Sequence, residues 1–132
     1  MTLDNRKITK ELTNKIKTTY IKNSAASLSA CTLCPRNCKA DRNSGKTGFC
    51  GVDSTIYLAR AALHMWEEPC ISGKKGSGAV FFSGCGLRCC FCQNHDIAIG
   101  SRGLPVTVER LSEIFLELKE KGAANINLVT GT

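Results

Sequence analysis

The sequence predicts an α/β protein, and three observations carry that reading. Gly78-Ala79-Val80-Phe81-Phe82-Ser83 is a short apolar run bounded by glycine, which reads as a strand buried in a parallel sheet. After Pro105, Val108, Leu111, Ile114, Phe115 and Leu118 recur at helical spacing behind Thr107, a residue suited to cap a helix. Asn125-Ile126-Asn127-Leu128-Val129 then reads as a second strand, so the order strand, helix, strand describes one βαβ unit.

Taken in order, residues 2–22 are polar and basic, with Leu3, Ile8, Leu12, Ile16 and Tyr20 mostly four apart. That spacing predicts an N-terminal helix with one apolar face, its lysines solvated. Residues 24–30 are a connector of small side chains. Residues 54–63 carry Ile56, Leu58, Ala59, Ala61 and Ala62, interrupted by Arg60, and read as a strand. His64-Met65-Trp66-Glu67-Glu68-Pro69-Cys70 follows, and in this setting His64 reads as structural and the two glutamates as solvated. Residues 96–103 read as a mobile connector. In the following helix Glu109 suits the positive N-terminal end, and Gly122 terminates it. The chain divides into a helix and connector (1–30), a cysteine-rich segment with a short strand (31–77) and an α/β part (78–132).

With 132 residues the prior is a single domain. The first thirty residues hold six Lys or Arg and no continuous apolar run, so no signal peptide is expected; no other run is long enough to span a membrane. A cytoplasmic location follows, where thiols stay reduced and clustered cysteines signal metal more often than disulfides. The formal charge of +7 invites a nucleic-acid reading. Metal-bound thiolates would offset much of it, though the metals return some positive charge, and the few aromatic residues are not interleaved with basic ones. No nucleic-acid partner is expected.

The nine cysteines fall mainly into two constellations. Cys31, Cys34, Cys38 and Cys50 form C-x2-C-x3-C-x11-C, with Pro35 and nearby glycines bending the chain back. Four soft ligands suit a closed tetrahedral site, and either zinc or a further iron–sulfur centre fits. Such a site supplies folding energy that this Gly-rich segment cannot draw from apolar burial. Cys85, Cys89 and Cys92 form C-x3-C-x2-C in one short loop after the apolar run, where α/β folds place their chemistry. A cubane cluster usually takes four thiolates, so three would leave one iron open to a small molecule. The alternatives are zinc, with Cys90 or Cys70 as fourth ligand, and disulfides. Cys90 itself reads as a small buried side chain. Cys70 precedes a Gly-rich loop from which it can approach either constellation.

The C-x3-C-x-aromatic-C pattern after a strand, with Phe91 at the aromatic position, resembles the cluster motif of the radical S-adenosylmethionine (SAM) enzymes. Phe82-Ser83-Gly84-Cys85, Gln93-Asn94 and His64-x-Trp66-Glu67-Glu68-Pro69-Cys70-Ile71-Ser72-Gly73 resemble the group similar to pyruvate formate-lyase activating enzymes. The likeness runs from about residue 28 onward. It implies a [4Fe-4S] cluster on Cys85, Cys89 and Cys92 whose fourth iron chelates SAM, and reductive cleavage of SAM to methionine and a 5′-deoxyadenosyl radical that abstracts hydrogen. It implies that Phe91 packs near the adenine and that Gly84 lets the backbone approach the cluster. In activating enzymes the target is a glycine of a partner protein, a glycyl radical enzyme.

The resemblance also implies a partial (β/α) barrel of about six repeats, which needs about 190 residues at the repeat length of a β/α barrel. Residues 78–132 hold fewer than two repeats. The expectation is therefore the N-terminal part of a radical SAM barrel, its first βαβ unit, preceded by the cysteine-rich segment and the N-terminal helix. The remainder would come from a missing C-terminal half, and a lone parallel pair of strands would have open edges. Two other readings remain open: a zinc-binding module with a basic face for an acidic partner, and a non-catalytic iron–sulfur protein.

Overall fold

A computed structural model describes residues 28–99 and 103–130. The expected helix over residues 2–22 lies outside them. The core is a four-stranded mixed sheet of β1 (Ile56–His64), β2 (Ser77–Phe82), β3 (Leu104–Val106) and β4 (Ile126–Val129), in the order β3-β1-β2-β4. One full helix, α3 (Val108–Glu120), covers one face. Two short helical segments, α1 (Pro69–Ser72) and α2 (His95–Ile99), lie in the connections.

The β2-α3-β4 unit follows from the sequence. β2 and β4 run parallel, Val80 opposite Leu128 and Phe81 opposite Val129. Thr107 caps α3, its side-chain oxygen accepting from the Arg110 N–H at 3.2 Å. Gly122 adopts φ +93°, and the N–H groups of Gly122 and Ala123 return to the carbonyls of Lys119 and Leu118. Those two bonds form a Schellman stop, with Ala123 and Leu118 meeting in the core as that motif requires. Val80 (0% exposed), Leu118 (2%) and Ile114 (8%) form the buried centre, joined by Leu111, Phe115, Phe82 and Ile126. Val108, the first apolar residue of the expected stripe, is exposed; as the first helical residue it sits at the helix end, short of the packed face.

The expected lone parallel pair is not what forms. β1 lies antiparallel along β2, from Leu58 opposite Phe82 to His64 opposite Ser77, and β3 adds antiparallel to β1. β2 is thus paired on both sides, and only β3 and β4 are edges. The expected connector over 96–103 also differs: residues 96–99 complete α2, with Ala98 fully buried and the Ile97 carbonyl accepting from the Gly84 N–H at 2.8 Å. That bond and that burial tie the segment down. A polar network lies between the starts of β2 and β4: the Asn127 amide donates to the Ser77 hydroxyl at 2.8 Å, and the Asn125 amide to the Ile71 carbonyl at 2.7 Å. Among the described residues no helix is long and apolar enough to cross a membrane.

Candidate metal centre

The cysteine-rich segment is folded around a buried arginine. Arg42 (6% exposed) donates from Nε to the Asp53 carbonyl at 2.8 Å, and its guanidinium lies 3.9 Å from the Cys31 sulfur. It begins a 3-10 turn, Arg42–Ser44, capped by Asp41. Backbone bonds tie Cys31 to the segment that follows its motif: the Cys31 N–H donates to the Ala40 carbonyl and the Lys39 N–H to the Cys31 carbonyl. A charged side chain is buried only with partners, so Arg42 fixes where both ends of the segment lie.

Cys31, Cys34, Cys38 and Cys50 line one cavity of about 160 Å³, together with Leu33, Phe49, Arg36 and Arg42. The Cys38 sulfur packs directly on Gly48, where a side chain would collide with it. Hydrogen bonding, first from the Ala40 backbone and then from Phe49, holds the exposed Cys38 thiol below its ordinary pKa and so favours thiolate. Four thiols and two guanidinium groups thus share one cavity, with the Arg42 guanidinium next to the Cys31 sulfur. Among the described residues, no three or more Cys, His, Asp or Glu side chains converge as a metal-binding group.

Cys85, Cys89 and Cys92 occupy the loop leaving the C-terminal end of β2, all half-buried. The Leu87 N–H points at the Cys85 sulfur at 3.4 Å. A turn closes from the Cys92 N–H to the Cys89 carbonyl at 3.2 Å, which puts Cys90 and Phe91 at its tip. Both are therefore exposed, Phe91 to 86%. The expectation of a buried Cys90 is not met, because the turn faces solvent. Cys70 is exposed on α1, at the end of the sheet where β2 begins, whereas the Cys85 loop starts where β2 ends.

The two constellations are packed against each other. Arg36 stacks on one side of this contact at 3.9 Å from the Phe49 ring centre, and Arg88 of the second loop lies 4.6 Å from the same ring. Arg36 Nε also donates to the Gly86 carbonyl at 3.0 Å. A Cβ on Gly86 would stand 3.7 Å from the Cys34 sulfur, so that thiol faces the second loop. Gly84, at φ +86°, has room for no side chain: a Cβ there would lie 2.6 Å from Val52 and 3.0 Å from the Cys50 carbonyl. Arg36, Phe49, Arg88 and Arg42 were not legible as site residues, since nothing in the spacing pairs Arg42 with Cys31 and Asp53, Phe49 with both Arg36 and Arg88, or Arg36 with Gly86. The one available signal was the Arg-rich setting of both cysteine motifs.

Comparison with known proteins places little around this geometry. No protein-family model matches the chain, and no solved structure gives a significant match. The chain is similar to a curated archaeal protein. It is 30% identical over 108 residues to the uncharacterized protein MJ0674 of Methanocaldococcus jannaschii, a match covering 76% of this chain and 30% of that protein. The chain thus spans well under half the length of the relative.

Proposed function

We propose that this chain is the N-terminal part of a radical SAM protein resembling the pyruvate formate-lyase activating enzymes, with Cys85, Cys89 and Cys92 as the ligands of a [4Fe-4S] cluster. The observation that carries the reading is three half-buried thiols in one loop at the C-terminal end of a strand that opens a parallel β-α-β unit. The donor chemistry fits the cluster: three soft sulfur ligands and an N–H directed at the Cys85 sulfur. When bound, the cluster supplies the electron for reductive cleavage of SAM. The chain's own residues do the rest of the placing. Gly84 lets the cysteine-rich segment reach under the loop, and Phe91 offers a free aromatic face to an adenine. The outer edge of β4 carries no further strand among the described residues, which is where additional units of a partial barrel would add. A protein carrying the target glycine would be the partner.

Cys31, Cys34, Cys38 and Cys50 suit a second, closed site for zinc or another iron–sulfur centre, with Arg36 and Arg42 offsetting the charge of four thiolates. That cavity is also what favours the second reading, a metal-binding module without SAM chemistry. Anaerobic reconstitution with iron and sulfide separates the two: iron lost in a Cys85→Ala, Cys89→Ala, Cys92→Ala triple variant supports the proposal, and zinc alone in both proteins refutes it.

A further inference from the structure

The face of the sheet opposite α3 carries a cavity of about 390 Å³ that the cysteines do not enter. It is lined by Arg60 and His64 of β1, Glu67 just beyond, Phe81 of β2, and Gln93 and Asn94 directly after the second cysteine loop. Arg60 is there because of a backbone irregularity. Leu58 pairs with Phe82 and Arg60 with Phe81, so Ala59 is an extra residue in β1. Leu58 and Phe82 pack toward α3, and without the bulge Arg60 would share their face. The bulge turns its guanidinium to the opposite face and into the cavity.

The polar groups around this cavity have unused bonding capacity. The Arg60 guanidinium and the Gln93 and Asn94 side-chain amides have no hydrogen-bond or ion-pair partner among the described residues. His64 Nδ1 is a buried atom that lies 3.2 Å from Glu67 Oε1 without hydrogen-bond geometry to it. That nitrogen is left without a hydrogen-bond partner. A small apolar floor of Ala62, Ala79 and Phe81 with convergent polar groups at the rim is the make-up of a small-molecule site.

We infer that this cavity binds the carboxylate of a small organic molecule, with Arg60 as the fork that takes the anion and Gln93 and Asn94 holding the adjoining polar group. A planar guanidinium with five donors matches a carboxylate in two parallel bonds, a geometry lysine cannot reproduce. None of its lining side chains is one of the cysteines assigned to the two constellations.

The test is a titration of the isotopically labelled full chain, kept apo, with sodium acetate and separately with acetamide, followed by nuclear magnetic resonance at constant ionic strength. Acetate is expected to move the Arg60 Nε–H signal and the Gln93 and Asn94 amide signals along saturable curves, while acetamide moves them at least about tenfold less readily. Arg60→Gln is expected to weaken acetate binding by about tenfold or more and Arg60→Lys by less. Because Arg60 is exposed and unpartnered among the described residues, both variants should melt like the wild type, which a thermal scan verifies. Equal response to acetate and acetamide, an unsaturable response, or full binding by Arg60→Gln would overturn the assignment. These outcomes are independent of whether a cluster forms, so the carboxylate site can fail while the radical SAM reading stands, and the reverse.

Discussion

Replacing Phe49 should loosen the joint between the two cysteine loops by an amount that the structure allows one to bound. The ring is 39% exposed, so about three-fifths of its surface is buried. Full burial of such a side chain stabilises by about 1.5–3 kcal/mol, hence about 1–2 kcal/mol here. The Arg36 and Arg88 contacts each add about 0.5–1 kcal/mol at a partly exposed site. Phe49→Ala should therefore cost about 2–4 kcal/mol, or a fall in Tm on the order of 10 °C for a chain of this size. Phe49→Leu keeps most of the apolar burial and loses only the guanidinium stacking, so it should cost about half as much. Thermal melts of the two variants, read by circular dichroism on the apo protein, give both numbers. If Phe49→Leu melts like the wild type, the stacking contributes nothing; if Phe49→Ala does too, the Arg36-Phe49-Arg88 contact does not join the loops.

Gly84→Ala should be more damaging than its size suggests. It places a methyl 2.6 Å from Val52 at a left-handed φ, for about 2–4 kcal/mol, measurable as a shift of the urea midpoint at unchanged slope. A wild-type midpoint in this variant would mean that the segment does not press on Gly84. The Arg110 bond at 2.6 Å holds the Glu117 carboxyl below its ordinary pKa. A depressed carboxylate stabilises above its unfolded pKa and loses that contribution as pH falls through the lowered folded value. The small Tm gap between wild type and Glu117→Gln should therefore persist at neutral pH and close in acid, and a gap that widens in acid would contradict the sign. If the four thiols of the 160 Å³ cavity hold a metal, treatment with a strong chelator should release it and lower the melting temperature together. Metal release with an unchanged melt would show that the segment folds without it.

What was legible in the sequence is what depends on neighbours in the chain. Thr107, the apolar stripe and Gly122 bound α3 because a cap, a periodicity and a left-handed stop are local features. Likewise β2 and β4 were readable as apolar runs. What was not legible depends on pairing. β1 reads as a strand, but no local signal says that it lies antiparallel along β2, nor that Ala59 bulges and redirects Arg60. Arg42 counts toward the net charge in the sequence and is buried against Asp53 in the fold. The order of α2 comes from the burial of Ala98 and the Gly84 bond, both contacts with residues distant in the chain. In the site, the cysteine spacing marked both constellations, while the Arg36-Phe49-Arg88 contact between them exists only in three dimensions.

The most direct test of the central claim is electron paramagnetic resonance of the anaerobically reconstituted, reduced chain with and without SAM. The proposal that Cys85, Cys89 and Cys92 leave one iron open predicts a reduced cluster signal that shifts when SAM is added, and that disappears when those three cysteines are replaced. A cluster signal indifferent to SAM in a protein that extends the chain to the length of its relative, or a colourless protein carrying zinc without iron, would contradict it.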